Sequence, residues 1–404
     1  MISSCTDSFE KNQKAEWSIL IYSSATSDID GYSQQAIKEL EKTGSSEKIN
    51  IALQLGRAGT ADNAFQSGVK RFYITKNQDS GREMSSKPVE DLKDVNMADS
   101  RTLSDFVEWG MKKYPAKHTM LVIGGHAGGF LGAVTNSRKT ELMPVPDIKN
   151  ALDEASSRTG IKPDIITFNS CFMGQLEPLH HLKDNSQFLV ASEKPEYRQG
   201  LPLGKAISAM EDKIHNNEDV SPAETAKIIV ESASSVPQRI PAIAAFQSEK
   251  LEKTASLLDK LSFELLNSSL SRNELKEIVE NSAKPYLSQR KDPVFSDYTD
   301  LKSFCTNIIK NDRLKGSSVA KAATALAESL QSSMISGFFA ESDKLPPEEL
   351  SAGGNMSEKP GGMSVYFPLH AQEELHGEIL DKIQSKYDKL DISRYKNWCE
   401  LRKL

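Results

Sequence analysis

From Trp17 onward, short apolar runs alternate with stretches whose apolar residues recur every three or four positions. WSILIYS, INIALQL, VKRFYI and TMLVIGG have the length and the aromatic or β-branched content of strands. Residues 32–42 and 103–114, lying between such runs, have helical spacing. The alternation continues with a helix over 148–157, the strand DIITFNS, a helix over 175–182 and the strand QFLVAS. Strands separated by helices predict a parallel sheet, and strands apolar almost throughout predict that both its faces are covered. The expected fold class is α/β.

After about residue 204 the pattern turns helical, at 223–234, 249–267, 301–310 and 318–331. Breaks at 344–347 and 353–362 lead into GGMSVYFP, a late strand ended by proline, and a charged helical tail follows from Ala371. The expected organisation is an N-terminal extension over 1–16, an α/β core over 17–204, a helical region with the late strand over 205–370, and the tail over 371–404. No internal repeat or low-complexity tract is visible.

Composition adds exclusions. The 404 residues, 38% hydrophobic and 26% charged, are those of a folded globular chain. A net charge of −6 gives no basic excess for nucleic acid, and no run approaches the ~20 apolar residues of a membrane span. The start, MISSCTDSFEKNQ, lacks the basic and apolar regions of a secretory signal, so a cytoplasmic location is the default expectation. Ile2-Ser3-Ser4-Cys5 faintly resembles the cleavage end of a lipoprotein signal, which leaves a secreted or lipoprotein form as the alternative. Cys5, Cys171, Cys305 and Cys399 lie far apart without a CxxC pair, which argues against a disulfide framework or zinc knuckle. Cys305 and Cys399, inside helical patterns, read as small buried hydrophobes. His180 and His181 have no acidic or Cys partner at ligand spacing, so no metal is expected there.

Two motifs carry candidate chemistry: IGGHAGG at 123–129 and FNSCFMG at 168–174. Each follows an apolar strand and so belongs at a strand's carboxyl end, where open α/β sheets bind ligands. His126 and Cys171 are expected to meet there across the 45 positions between them. A helix expected from about Gly174 would favour the Cys171 thiolate through its dipole. The glycines around His126 admit a close substrate backbone, and free N–H groups there would receive an oxyanion. GGHAGG does not satisfy GxGxxG and no GxxxxGK[ST] is present, so a phosphate-binding α/β protein has no motif behind it. The pattern points to thiol acyl transfer.

HAGG at 126–129 and NSCFMG at 169–174 resemble the His-Gly-Gly-Gly loop and the Asp-Ala-Cys-Leu-Met-Gly strand end of clostripain-like peptidases, relatives of caspases, legumains and gingipains. WSILIYSSATSDID, VNMADSRTLSDFVEWGMKKYPAKH, FLVASE and GGMSVYFP are similar to further family segments, so the resemblance covers most of 17–370. It implies a caspase-like fold, a mostly parallel sheet between helices, with an additional helical C-terminal region. It further implies a cysteine endopeptidase acting on protein or peptide substrates, with Cys171 as nucleophile, His126 as base and acid, and a thioester intermediate. The implied oxyanion donors are the N–H groups of Ala127 and Cys171, the alanine adding a methyl group where relatives have glycine.

The same resemblance brings Asn169, Ser192, Glu193 and Gln199 to the substrate pocket. Relatives that cut after Arg or Lys carry acids where this chain has Asn169 and Gln199, so the expected preference before the scissile bond (P1) is not strongly basic. Glu193 and Glu196 are the remaining carboxylates of that loop. No cofactor is implied; some relatives need calcium, but no DxDxDG loop is present. Some relatives cut themselves between the catalytic His and Cys, where this chain has TNSRKTE with Arg138 and Lys139, and the amides predict that such cleavage is weak or absent. An inactive homologue retained as a binding protein is the alternative that the altered motifs leave open.

Overall fold

The structure is a computed structural model, describing residues 14–25, 28–57, 67–77, 84–136, 141–285, 293–340 and 360–403. Its first strands are β1 (Ala15–Ala25), β2 (Ile49–Arg57), β3 (Gly68–Tyr73), β4 (Pro88–Lys93) and β5 (Ala116–Gly124). There follow β6 (Ala133–Thr135), β7 (Leu142–Met143), β8 (Ile165–Asn169) and β9 (Phe188–Ala191). The last are β10 (Ala242–Gln247), β11 (Tyr298–Asp300), β12 (Met334–Phe339) and β13 (Ser364–Tyr366). Nine of these form one sheet in the order β12-β10-β9-β8-β5-β1-β2-β3-β4. The middle five, β9-β8-β5-β1-β2, are parallel, and the strands outside them are antiparallel.

Both faces of the middle strands are buried, which explains their apolar sequences. In β1, Leu20 and Tyr22 face one apolar cluster with Phe106, Leu152, Leu258 and Leu326. Ile19 and Ile21 face a second with Ile37, Leu40, Ile207 and Ile229. The helices Ser100–Lys113, Val145–Thr159, Leu251–Leu266 and Ser318–Ser333 thus cover one face, and Asp30–Thr43, Leu203–His215 and Pro222–Ser234 the other. Truncating a fully buried member such as Leu121 to alanine costs about 2–5 kcal/mol.

VKRFYI is a strand but runs antiparallel to β2. The ten residues between Arg57 and Gly68 are fewer than the dozen or so that a parallel crossover needs. The sheet also does not end near residue 204, because β10 and β12 extend it from within the helical region. The late strand stands apart from the main sheet as β13, paired with β11 and bridged at Ser364 to Gln175. The segment from Ala371 is no loose tail: Tyr387, Trp398 and Leu401 are buried, and the Trp398 indole N–H donates to the Tyr387 hydroxyl at 2.7 Å. Among the described residues, no helix is long and apolar enough to cross a membrane. Cys5, Arg138 and Lys139 lie outside the described residues.

Candidate active site

Strand register brings the two motifs together. In the adjacent parallel strands β5 and β8, Gly124 pairs with Asn169, so His126 and Cys171 each lie two residues beyond the same rung. The Gly125 N–H donates to the Asn169 carbonyl at 3.4 Å, and the Ser170 hydroxyl to the Ile123 carbonyl at 3.3 Å. Further on, the buried Gln175 carboxamide accepts from the Phe130 N–H at 2.8 Å, bracing one loop against the other. Gly129 has φ +60°, and a Cβ there would stand 2.2 Å from that carboxamide oxygen, so only glycine fits. Ala127 is different. It is not among the residues of positive φ, and it faces Ala133 between the flanking bonds Gly128 N–H to Gly132 O and Val134 N–H to His126 O, both 2.9 Å. In such a non-hydrogen-bonded pair the residue's own N–H points away from the partner strand. Alanine therefore fits position 127 and keeps an outward donor.

The Cys171 sulfur accepts from the Glu196 N–H at 3.3 Å. Burial first, and the Glu196 carboxylate second, push the thiol up to about 12. Burial also holds the Glu196 carboxyl well above the usual carboxylate range, with only the Ser170 N–H to ease it. Neither Glu196 oxygen makes a hydrogen bond of normal geometry. Burial is thus the main reason that Cys171 rests as a thiol. The expected help from a helix N-terminus is absent, because the helix Leu176–His181 starts five residues further on with Gln175 as its cap. Phe172, at φ +62°, makes the turn instead. Its N–H donates to the Lys194 carbonyl at 3.2 Å, that of Gly174 to the Ser192 carbonyl at 2.7 Å, and its ring stacks on Phe295 at 5.0 Å.

His126 has a partner that the motifs do not reveal. Its Nε2 lies 3.2 Å from both Asp28 carboxylate oxygens. The available signal was topological: β1 neighbours β5 with Ser23 opposite Gly124, which sets the turn after β1 beside the His126 loop. Asp28, Tyr32, His126, Asn169, Cys171 and Gln199 line one cleft of about 560 Å³, with Arg198 exposed at its rim.

Asn169 and Gln199 line this cleft with His126 and Cys171, and the Asn169 Oδ1 also accepts from the Leu201 N–H at 2.8 Å. Ser192 and Glu193 do not line this cleft. The Ser192 hydroxyl donates to the Lys194 carbonyl at 3.0 Å, and the buried Glu193 accepts from the Gly362 N–H at 3.0 Å. Their expected place in the substrate pocket is corrected: past the end of β9 both side chains turn into the interior.

Cys305 is buried, and the Cys399 thiol donates to the Ser393 carbonyl at 3.3 Å. His180 pairs with Glu252 at 3.0 Å, and the His181 Nδ1 accepts from the Asp391 N–H at 3.1 Å. Among the described residues, no group of three or more His, Cys, Asp or Glu is placed to hold a metal ion.

A search of the curated proteins found no match. The chain resembles a secreted C11 cysteine protease from Bacteroides thetaiotaomicron, solved with an irreversible peptide inhibitor, at 16% identity and TM-score 0.63, over 95% of this chain and 99% of that one. A second structure of a secreted C11 cysteine protease from that organism, "iotapain", matches at 14% identity and TM-score 0.66, over 95% and 99%. An inactive zymogen C11 protease from Parabacteroides distasonis matches at 18% identity and TM-score 0.63, over 95% and 98%. These likenesses bear out the caspase-like α/β fold. Two of the three are described as secreted, so the cytoplasmic expectation draws no support from them. The sequence model of the Clostripain family matches residues 21–403, a span that holds the motifs around His126 and Cys171, and this chain belongs to the clostripain family of cysteine peptidases.

Proposed function

We propose that the protein is a cysteine endopeptidase working through Cys171 and His126, with an uncharged residue preferred at P1. The observation that carries this reading is the β5–β8 register, which sets both residues two positions past one rung, on one cleft. As substrate enters, His126 takes the Cys171 proton, the sulfur attacks the scissile carbonyl carbon, and the carbonyl π pair moves onto oxygen. The N–H groups of Ala127 and Cys171 face that oxyanion. Collapse breaks the C–N bond, the proton on His126 passes to the departing amine, and a thioester remains. Water, deprotonated by His126, then releases the acid and restores the thiol.

The P1 reading follows from charge. Asn169 and Gln199 line the cleft as amides, Arg198 adds a positive rim, Asp28 is engaged with His126, and burial disfavours the charged form of Glu196, which also lines the cleft. Burying a cation without a carboxylate partner costs several kcal/mol, and ~3 kcal/mol is already more than a hundredfold in rate. An extracytoplasmic location is the reading that the two secreted neighbours favour, and cell fractionation checks it. The dyad is tested with a mixed peptide library: Cys171→Ala abolishes cleavage and His126→Ala lowers it by ~10²-fold or more. Full turnover by Cys171→Ala refutes the assignment.

A further inference from the structure

Asp28 and Asp30 stand two residues apart, in the turn at 28–29 and at the first residue of the helix Asp30–Thr43, and they do different work. Asp30 is buried and takes the Arg57 guanidinium on both oxygens, Nε at 2.7 Å and Nη2 at 2.6 Å, which ties the turn to the end of β2. The end of β1 is tied as well, by the Ser24 hydroxyl donating to the Thr135 carbonyl at 2.6 Å in the hairpin that follows the His126 loop. Asp28 is thus presented from an anchored turn, and it meets His126 Nε2 with both oxygens at 3.2 Å.

A carboxylate only accepts, and a neutral imidazole has one N–H and one lone pair. Nε2 must then carry the hydrogen, and Nδ1 carries the lone pair. We infer that Asp28 is the positioning residue of His126, fixing the ring orientation and tautomer that leave Nδ1 to exchange the proton with Cys171. This rests on the dyad proposed above and names a third residue for it. When Nδ1 takes the thiol proton, the imidazolium charge forms beside the Asp28 carboxylate, and it disappears again when that proton passes to the leaving amine. An acid in this position acts on the chemical step rather than on substrate binding.

The geometry also sets the size of the effect. The Asp28 and His126 side chains are 33% and 38% exposed, so water screens the pair. The loss expected from removing the charge is therefore about tenfold to a hundredfold in kcat, well short of the ~10⁴ of a fully buried Asp–His pair.

The test uses the full chain and a peptide that the wild type cleaves, measuring kcat and KM separately for Asp28→Asn, Asp28→Glu and Asp28→Ala. Asp28→Asn keeps an acceptor for Nε2 but loses the charge, so kcat falls about tenfold or more while KM stays within about threefold. Asp28→Glu restores the carboxylate and recovers most of the activity, and Asp28→Ala, which loses acceptor and charge, is the weakest. With seven histidines in the chain, ¹⁵N-histidine NMR can follow the His126 tautomer, Nε2–H in the wild type and mixed in Asp28→Ala. Unchanged kcat in Asp28→Asn overturns the inference. So does an equal fall in all three variants with the tautomer unaltered, which marks Asp28 as packing only. Failure of the dyad itself is separate: it shows as hydrolysis by Cys171→Ala whatever Asp28 does.

Discussion

Replacing Glu177 by glutamine alters a fully buried group just behind the nucleophile loop, near the start of the helix Leu176–His181. One carboxyl oxygen accepts from the Tyr366 N–H at 2.8 Å and the Tyr387 hydroxyl at 3.4 Å, and the other is buried without a partner. Burial outweighs those bonds and raises the carboxyl from 4.5 to about 7. The folded chain therefore holds this proton between about pH 4.5 and 7, where the unfolded chain releases it. Because the folded state binds more protons in that window, stability is fully present below it and declines as pH rises through 7. The shift is roughly 2.5 units at 1.36 kcal/mol each, so ionisation costs the wild type about 3 kcal/mol at pH 8 and above. Glutamine keeps an acceptor for Tyr366 and cannot ionise. Relative to wild type, Glu177→Gln should gain up to about 3 kcal/mol between pH 5 and pH 8.5. For a chain of this length, at roughly 2.1 cal/mol/K per residue, that is a relative Tm gain of ~3–4 °C. Thermal unfolding of both proteins across that range measures it. A difference in Tm that does not change with pH refutes the reasoning, because it would show Glu177 remaining in one protonation state throughout.

Iodoacetamide should alkylate the free enzyme's Cys171 at pH 7.5 more than about 100-fold more slowly than free cysteine, since burial keeps the thiol near 12, while a substrate-like peptide inhibitor reacts readily; fast labelling refutes a protonated resting thiol. Ala127→Gly should leave kcat within about threefold, because position 127 needs no positive φ, and a large gain would show the methyl group obstructing the oxyanion site. The kcat/KM ratio for Arg against an uncharged P1 residue in paired peptides should lie below one in wild type and rise in Asn169→Asp; a wild-type preference for Arg of about tenfold would mean that Glu196 supplies a charge to the cleft. Purified wild type should stay intact at Arg138 and Lys139, and cleavage there that Cys171→Ala prevents would contradict the P1 reading.

The middle of the sheet was legible because strands buried on both faces must be apolar throughout, and β1, β2, β5, β8 and β9 each matched an expected run. The meeting of His126 and Cys171 on one cleft was legible for a related reason, since each motif follows one of two such strands that lie side by side. β10 was missed because AIAAFQ is short and alanine-rich, and β12 because MISGFF follows a 16-residue helix without a break. Asp28 was missed because it sits in a polar turn 98 positions from its partner, where its neighbours look the same as those of any solvated acid. Ser192 and Glu193 went wrong because position in a motif fixes the strand, not the direction of side chains beyond its end. The helix-dipole argument failed by geometry: the turn at Phe172 delays the helix, so its first free N–H groups form away from the sulfur.

The hydrogen bonds around Cys171 also explain why the late strand belongs to the catalytic unit although it lies outside the main sheet. Gly174 donates to the Ser192 carbonyl, and its own carbonyl accepts from the Ser364 N–H at 3.1 Å, so the nucleophile loop is held between the end of β9 and β13. Glu193 closes the circuit by accepting from the Gly362 N–H, next to Gly361, whose N–H donates to Asp300 at 2.6 Å. A Cβ on Gly174 would stand 2.6 Å from the Glu193 nitrogen, so the loop and the β9 end approach as closely as backbones can. Moving β13 would therefore pull on Gly174, and through it on the turn that presents the sulfur. The Tyr366 N–H on Glu177 extends the same linkage to Tyr387 and the C-terminal helices. Residues more than 190 positions from Cys171 thus help to hold its backbone, and a fragment ending near residue 204 would keep His126 and Cys171 yet lack the Ser364 bond to Gly174 and the Gly362 bond to Glu193.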